Sequence, residues 1–355
     1  MISLDGSYLE GGGQIVRTAL ALSTITQKPF EVTDIRKRRP TPGLKNQHLF
    51  CIKALEELCK AKTGYAELGS TKLRYIPDKI KGQTISIDIG TAGSINLLLQ
   101  SLLIPSIFAK SKVRLKITGG TDVSWSPQFD YFNNVIIPQI RRYADIEASL
   151  LKRGYYPKGN GKVDLKIKPK FNLENIKEAP SINLTEQHNL IQVKGVSHAS
   201  LDLQKANVAE RQAKAAKLFL NKLNCPIQIQ TQYQDTLSTG SGITLWAIFS
   251  KDPDEIDIFN PIRLGSDVLG KKGKRAEDVG KEAAEKLLKE IESKAPVDSH
   301  LADNLIPFLA LFGGKIKVSE ITNHTLTNIY VCEQFLGKIF SIYKETRTIE
   351  AKPYK

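Results

Sequence analysis

Histidine is the scarce chemical group of this sequence, with five in 355 residues. Two of them stand in polar stretches that could support catalysis. His324 lies in Thr322-Asn323-His324-Thr325-Leu326-Thr327, and His300 in Asp298-Ser299-His300-Leu301-Ala302-Asp303-Asn304. A neutral imidazole is available near pH 7 as a nucleophile or proton carrier, although a lone loop histidine is more often a hydrogen-bonded structural residue. His48, His188 and His198 have no suggestive sequence neighbours and read as structural.

Two other stretches suit phosphate. Glu10-Gly11-Gly12-Gly13-Gln14 precedes a helical pattern with Arg17 in its first turn. Glycines let backbone N–H groups approach an anion at a helix N-terminus, and Glu10 could hold a divalent cation. The alternative is a tight turn. No Gly-Lys-Ser/Thr follows, so this is not the nucleotide-binding P-loop. Arg36-Lys37-Arg38-Arg39, with Lys45 nearby, gathers five cations without an acid between Arg36 and Lys45. Pro40 and Pro42-Gly43 keep that segment out of a helix. Such a run contacts phosphates without reading sequence, or is simply a solvated face. Gly119-Gly120-Thr121-Asp122 followed by Trp125-Ser126-Pro127 can wall a pocket or form an ordinary turn.

The elements that carry these stretches repeat. Strand patterns begin near Pro29, Lys112 and Lys315, each alternating apolar and polar residues and each ending in a polar loop. A helix pattern precedes each (GGGQIVRTALALS, TAGSINLLLQSLL, SHLADNLIPFLALF), with Thr91 and Ser299 as expected caps. A second amphipathic helix and two strands follow. Each unit therefore has two helices and about four strands. Corresponding loops gather at one edge in such a repeat, which places Arg36, Asp122 and His324 around a common cleft. Phe30 and Val113 are 83 residues apart, whereas Val113 and Ile316 are 203 apart. The excess of 120 is room for a small domain, expected at about 182–276, with the catalytic body formed by 1–181 and 277–355.

The net charge of +14 favours polyanionic partners, or reflects a lysine-rich surface. No apolar run approaches the ~20 residues of a membrane span, and the opening MISLDGSYLEGGG does not read as a secretion signal. A cytoplasmic protein is expected. Cys51, Cys59, Cys225 and Cys332 are too dispersed for a structural zinc site.

Taken together and in order, LDGSYLEGGGQIVRTALALS, RPTPGLKNQHL, IGTAGSINLLLQSLLIP, GGTDVSWSPQFDYF, RGYYPKGNGKV, HLADNLIPFLAL and HTLTNI span nearly the whole chain. In this set the sequence resembles the RNA 3′-terminal phosphate cyclase family. The resemblance implies an α/β (α+β) fold of three two-helix, four-strand units with an inserted thioredoxin-like domain. It implies ATP, a divalent cation (Mg or Mn), and an RNA bearing a 3′-terminal phosphate, which becomes a 2′,3′-cyclic phosphodiester through histidyl-AMP and RNA-adenylate intermediates. By resemblance His324 is the nucleophile and Asp303 the acid that orients it. Glu10 binds metal. Gln14, Arg17, Gln47 and Gln100 contact nucleotide or phosphate. Arg36 and Arg39 meet ATP phosphates or the RNA end, and Pro127 and His300 flank adenine. Asn304 stands where the family pattern suggests Gln, and His300 where some members have Tyr. A non-catalytic, cyclase-like ribosome-assembly factor is the competing reading. It lacks the histidine-centred site whose residues are present here.

Overall fold

The computed structural model describes residues 1–252, 254–257 and 260–354. Its first unit runs β1 (Ile2–Asp5), α1 (Gln14–Thr26), β2 (Phe30–Thr33), α2 (Asn46–Cys59), β3 (Lys62–Gly64) and β4 (Leu73–Ile76). The sheet order is β1-β2-β4-β3. The first pair is parallel, joined by a helical crossover, and the others are antiparallel.

The second unit repeats this path through β5 (Thr84–Asp88), α3 (Ile95–Ile107), β6 (Val113–Gly119), the helical segments α4 (Phe129–Tyr131) and α5 (Ile137–Ile140), β7 (Ala144–Lys152) and β8 (Gly161–Pro169). Its order is β5-β6-β8-β7. The alternation read in the sequence is realised in β6, where Val113, Leu115 and Ile117 are buried against the helices. The second amphipathic helix expected in this unit is instead interrupted by a π-helical turn at Phe132–Ile136. Pro138 has no N–H to give the carbonyl one turn back. That carbonyl, on Asn134, accepts from Arg263 Nη1 at 2.9 Å.

The third unit begins with β9 (Ile182–Leu184) and is then interrupted. The insert comprises β10 (Asn189–Ser200), α6 (Val208–Leu220), β11 (Ile227–Gln234), β12 (Ser241–Ser250), β13 (Ile262–Leu269) and α7 (Ala276–Glu292). Its sheet is ordered β11-β10-β12-β13, with β10 and β11 parallel and the rest antiparallel, the βαβ-then-ββα path of thioredoxin-like domains. The third unit resumes with α8 (Ser299–Phe312), β14 (Gly314–Lys317), α9 (Asn323–Leu336), β15 (Phe340–Tyr343) and β16 (Thr348–Ala351), in the order β9-β14-β16-β15.

The insert thus lies inside the third unit rather than between the second and third. A division at 182 and 276 would part β9 from its parallel partner β14 and α7 from α6, against which it packs. The division we propose falls between β9 and β10 and between α7 and α8. Caps also differ from expectation. Ser94 caps α3 by accepting from Leu97 N, and Asp298 caps α8 by accepting from Leu301 N. Among the described residues no helix is long and apolar enough to cross a membrane.

Candidate active site

The three crossover helices meet. Helix α1 packs against α3 and α9, and α9 against α8. Their polar side chains form one chain across the three units: Arg17 Nε donates to Gln100 Oε1 at 2.9 Å, and Gln100 Nε2 donates to Asn304 Oδ1 at 3.1 Å. Asn304 Nδ2 closes it on the His300 carbonyl at 2.8 Å. The shorter Asn at this position therefore still spans the gap. Burial pushes the Arg17 guanidinium down to about 10, with Cys51 opposing and Arg36 adding to the fall, so it remains a cation at neutral pH.

His324 occupies the first turn of α9, where Thr322 caps the helix through Thr325 N. Its side chain is 46% exposed and Nε2 lies 3.4 Å from Glu10 Oε2. The same Glu10 oxygen accepts from Arg39 Nη2 at 3.1 Å, and Gln14 Nε2 donates to the His324 carbonyl at 3.2 Å. The glycine loop, basic loop and histidine therefore converge.

Asp303 does not hold the His324 ring as expected. Its Oδ1 accepts from the hydroxyls of Thr322 and Thr325, at 2.8 and 2.7 Å, and so grips the turn that carries the histidine. Burial raises the Asp303 carboxyl, while those hydroxyls, His324 and His300 pull it back. Asn328 locks the same region, donating to the Asp303 carbonyl at 2.6 Å and accepting from Thr18 at 2.7 Å.

A second histidine belongs here that sequence reasoning set aside. His48, on α2, is fully buried. Its Nδ1 accepts from Lys45 N at 2.9 Å, which leaves the proton on Nε2. Burial, then Arg17, Arg36 and Lys45, hold its pKa well below 6.5, so it is a neutral donor. That Nε2 has no partner, and a Cβ added to Gly13 would sit 2.0 Å from it. Helix α1 has no side-chain cap at Gly13, and the space a Cβ there would occupy lies against both His48 Nε2 and Arg17 Nη1, at 2.0 and 3.1 Å. Such a set of donors is a candidate cradle for an anion. The adjacency of His48 to Gln47 in a basic segment was the only hint in the sequence. Burial and the cation Arg39 lower the Arg36 pKa, and the Nε atoms of Arg36 and Arg39 are buried without partners. A bound anion would relieve that crowding.

Of the other expected residues, Arg36 is half-buried with a left-handed backbone and donates to the Thr41 carbonyl at 3.3 Å. Gln47 is half-buried in the first turn of α2. The Pro127 carbonyl accepts from Asn96 at 2.6 Å, one turn before Gln100 on α3. His300 is exposed, edge to face with Tyr131 at 6.2 Å. Asp122 does not line the cleft. It is buried beneath Arg153, which pairs with Asp122 at 3.2 Å and Asp130 at 2.7 Å. With His198 these two acids have the spacing of a metal site, but the Arg153 guanidinium already fills it. Glu10 is a better cation ligand, since Mg²⁺ is commonly held by one or two carboxylates with phosphate oxygens and waters completing its shell.

A family model described as RNA 3′-terminal phosphate cyclase matches residues 8–342. The chain is similar to proteins named RNA 3′-terminal phosphate cyclase from three archaea. The Pyrococcus furiosus protein is 50% identical over 343 residues, covering 96% of this chain and 95% of that one. The Pyrococcus abyssi protein is 48% identical over the same extent. That of Methanosarcina acetivorans is 45% identical over 368 residues, covering 99% of each chain.

Proposed function

Because this chain belongs to the RNA 3′-terminal phosphate cyclase family, we propose that it uses ATP to close an RNA 3′-terminal phosphate onto the adjacent 2′-hydroxyl. The observation that carries the mechanism is the convergence of His324, Glu10 and the His48–Gly13–Arg17 cradle in one cleft. A bound triphosphate would lie in the cradle with its α-phosphorus toward His324 Nε2, the ring nitrogen that faces Glu10.

Attack by Nε2 forms an N–P bond as the bond to pyrophosphate breaks, which divides a hard substitution into easier ones. The 3′-phosphate oxygen of the RNA then displaces the histidine from AMP. Finally the 2′-oxygen, giving up its proton, bonds to the 3′-phosphorus and AMP leaves. Asp303 acts by fixing Thr322 and Thr325 around the nucleophile, and its charge favours the imidazolium formed on attack. Arg17, Arg36 and Arg39 offset phosphate charge. Pro127 and His300 would flank the adenine. A divalent cation held by Glu10 and the phosphates would supply further charge neutralisation. Presence of the whole histidine-centred set supports the enzyme over a non-catalytic relative.

The test is to incubate the protein with ATP, Mg²⁺ or Mn²⁺ and a 3′-phosphorylated RNA, and to follow resistance of the terminal phosphate to phosphatase. Protection with release of AMP and pyrophosphate is expected. Unchanged 3′-phosphate RNA in a folded preparation would refute the proposal.

A further inference from the structure

Trp125 is 96% exposed, and its backbone is left-handed at φ 68°. A bulky residue held in that conformation is a genuine outlier, and such outliers gather at binding sites. The other tryptophan, Trp246, is 6% exposed. Beside the Trp125 loop lies the tip of the β7–β8 hairpin: Asp122 bridges to Tyr155, and Thr121 N and Asp122 N both donate to the Gly154 carbonyl. The next residue at that tip, Tyr156, is 76% exposed. Two exposed aromatic side chains thus stand on adjoining loops.

Their surroundings are cationic. Lys152 and Lys162 stand directly opposite each other across the hairpin, with Lys158 at the exposed tip. None of the three has an ion-pair partner among the described residues, and the segment from Leu151 to Val163 contains no acid. Like charges facing across a strand pair are destabilising unless something neutralises them. Stacking faces beside unpaired lysines suit a single-stranded nucleic acid.

The platform also lies at the right place. Pro127, two residues beyond Trp125, is tied to Asn96, and Gln100 of the active site lies one helical turn (~6 Å) along α3. Two residues of chain reach at most about 7 Å, so the Trp125 loop stands beside the part of α3 that carries Asn96 and Gln100.

We infer that Trp125 and Tyr156, with Lys152, Lys158 and Lys162, form a stacking platform for the nucleotides immediately 5′ of the RNA 3′-phosphate. The inference rests on the proposed cyclase activity, and two readouts separate them. Trp125→Ala should weaken binding of a short 3′-phosphorylated oligoribonucleotide by ~5- to 150-fold, with Trp125→Phe retaining most of the affinity. Label incorporation from ATP without RNA should be unchanged in both. An RNA with abasic residues upstream of its 3′ end should bind the parent protein as weakly as intact RNA binds Trp125→Ala, and combining the two changes should add little. Quenching of Trp125 fluorescence by intact but not abasic RNA gives an independent readout, since Trp246 is buried. Equal RNA affinity in Trp125→Ala, in a protein that cyclises, would overturn the platform alone. A loss confined to ATP-dependent labelling would assign Trp125 to the nucleotide and also overturn it. Failure of the parent protein to bind or cyclise the RNA would overturn both readings.

Discussion

At the scale of single residues, two carboxylates do different work. Asp303 is half-buried and bonded to Thr322 and Thr325, so Asp303→Asn should leave the fold intact. Loss of its charge beside a developing imidazolium should lower the rate of protein adenylation by about 100-fold or more. A rate within a few-fold of the parent would show that the carboxylate is a structural anchor only. Glu10 shares one oxygen between Arg39 and His324. Glu10→Ala should raise the Mg²⁺ or Mn²⁺ concentration needed for adenylation, with excess metal restoring part of the rate; an unchanged metal titration would remove Glu10 from the cation site. His324, Glu10 and Arg17 were named as candidates from the sequence because their motifs are compact. The partner of the His324 ring was not, since pairing Glu10 with His324 joins residues more than three hundred positions apart.

At the scale of elements, the N-terminus of α1 is defined by what Gly13 omits. A methyl group there would meet the buried His48 ring at 2.0 Å, whereas one at Gly12 would meet nothing nearer than Arg39 Nη2 at 3.5 Å. Overpacking of this kind costs ~1–3 kcal/mol. Gly13→Ala should therefore raise the KM for ATP and lower the Tm, and Gly12→Ala should do neither strongly; equal effects of the two would show that loop flexibility, not the His48 contact, matters. The repeat of helices and strands was readable because period-2 and period-3.6 patterns recur at matching offsets. The break in the helix after Phe129 depended on Arg263 capturing a carbonyl from across a domain boundary. The position of the insert was missed because the pairing of β9 with β14 is long-range and β9 is only three residues long.

At the scale of the whole molecule, the insert is joined to the second unit by buried polar groups. Arg153 Nη2 donates to Gln232, its backbone N–H donates to Gln234, and His198 is bonded to Tyr155 and Gln128, each at 2.7 Å. Burial and then Arg153 keep the His198 pKa well below 6.5, and burial with neighbouring cations does the same for His48. A histidine with a depressed folded pKa contributes stability above its unfolded value that is lost as pH falls. The Tm should therefore decline as pH drops below 6.5, and His198→Asn should make that decline shallower; an unaltered acid limb would contradict the assignment. All three units contribute to the Arg17–Gln100–Asn304 chain that backs the histidine, so the central claim concerns the intact chain. The most direct measurement is transfer of label from α-labelled ATP to the protein, followed by mapping of the labelled residue. The account predicts an acid-labile adduct on His324 that His300→Phe still forms and His324→Phe does not, although the latter remains folded and binds ATP. Label retained in His324→Phe and lost in His300→Phe would contradict it.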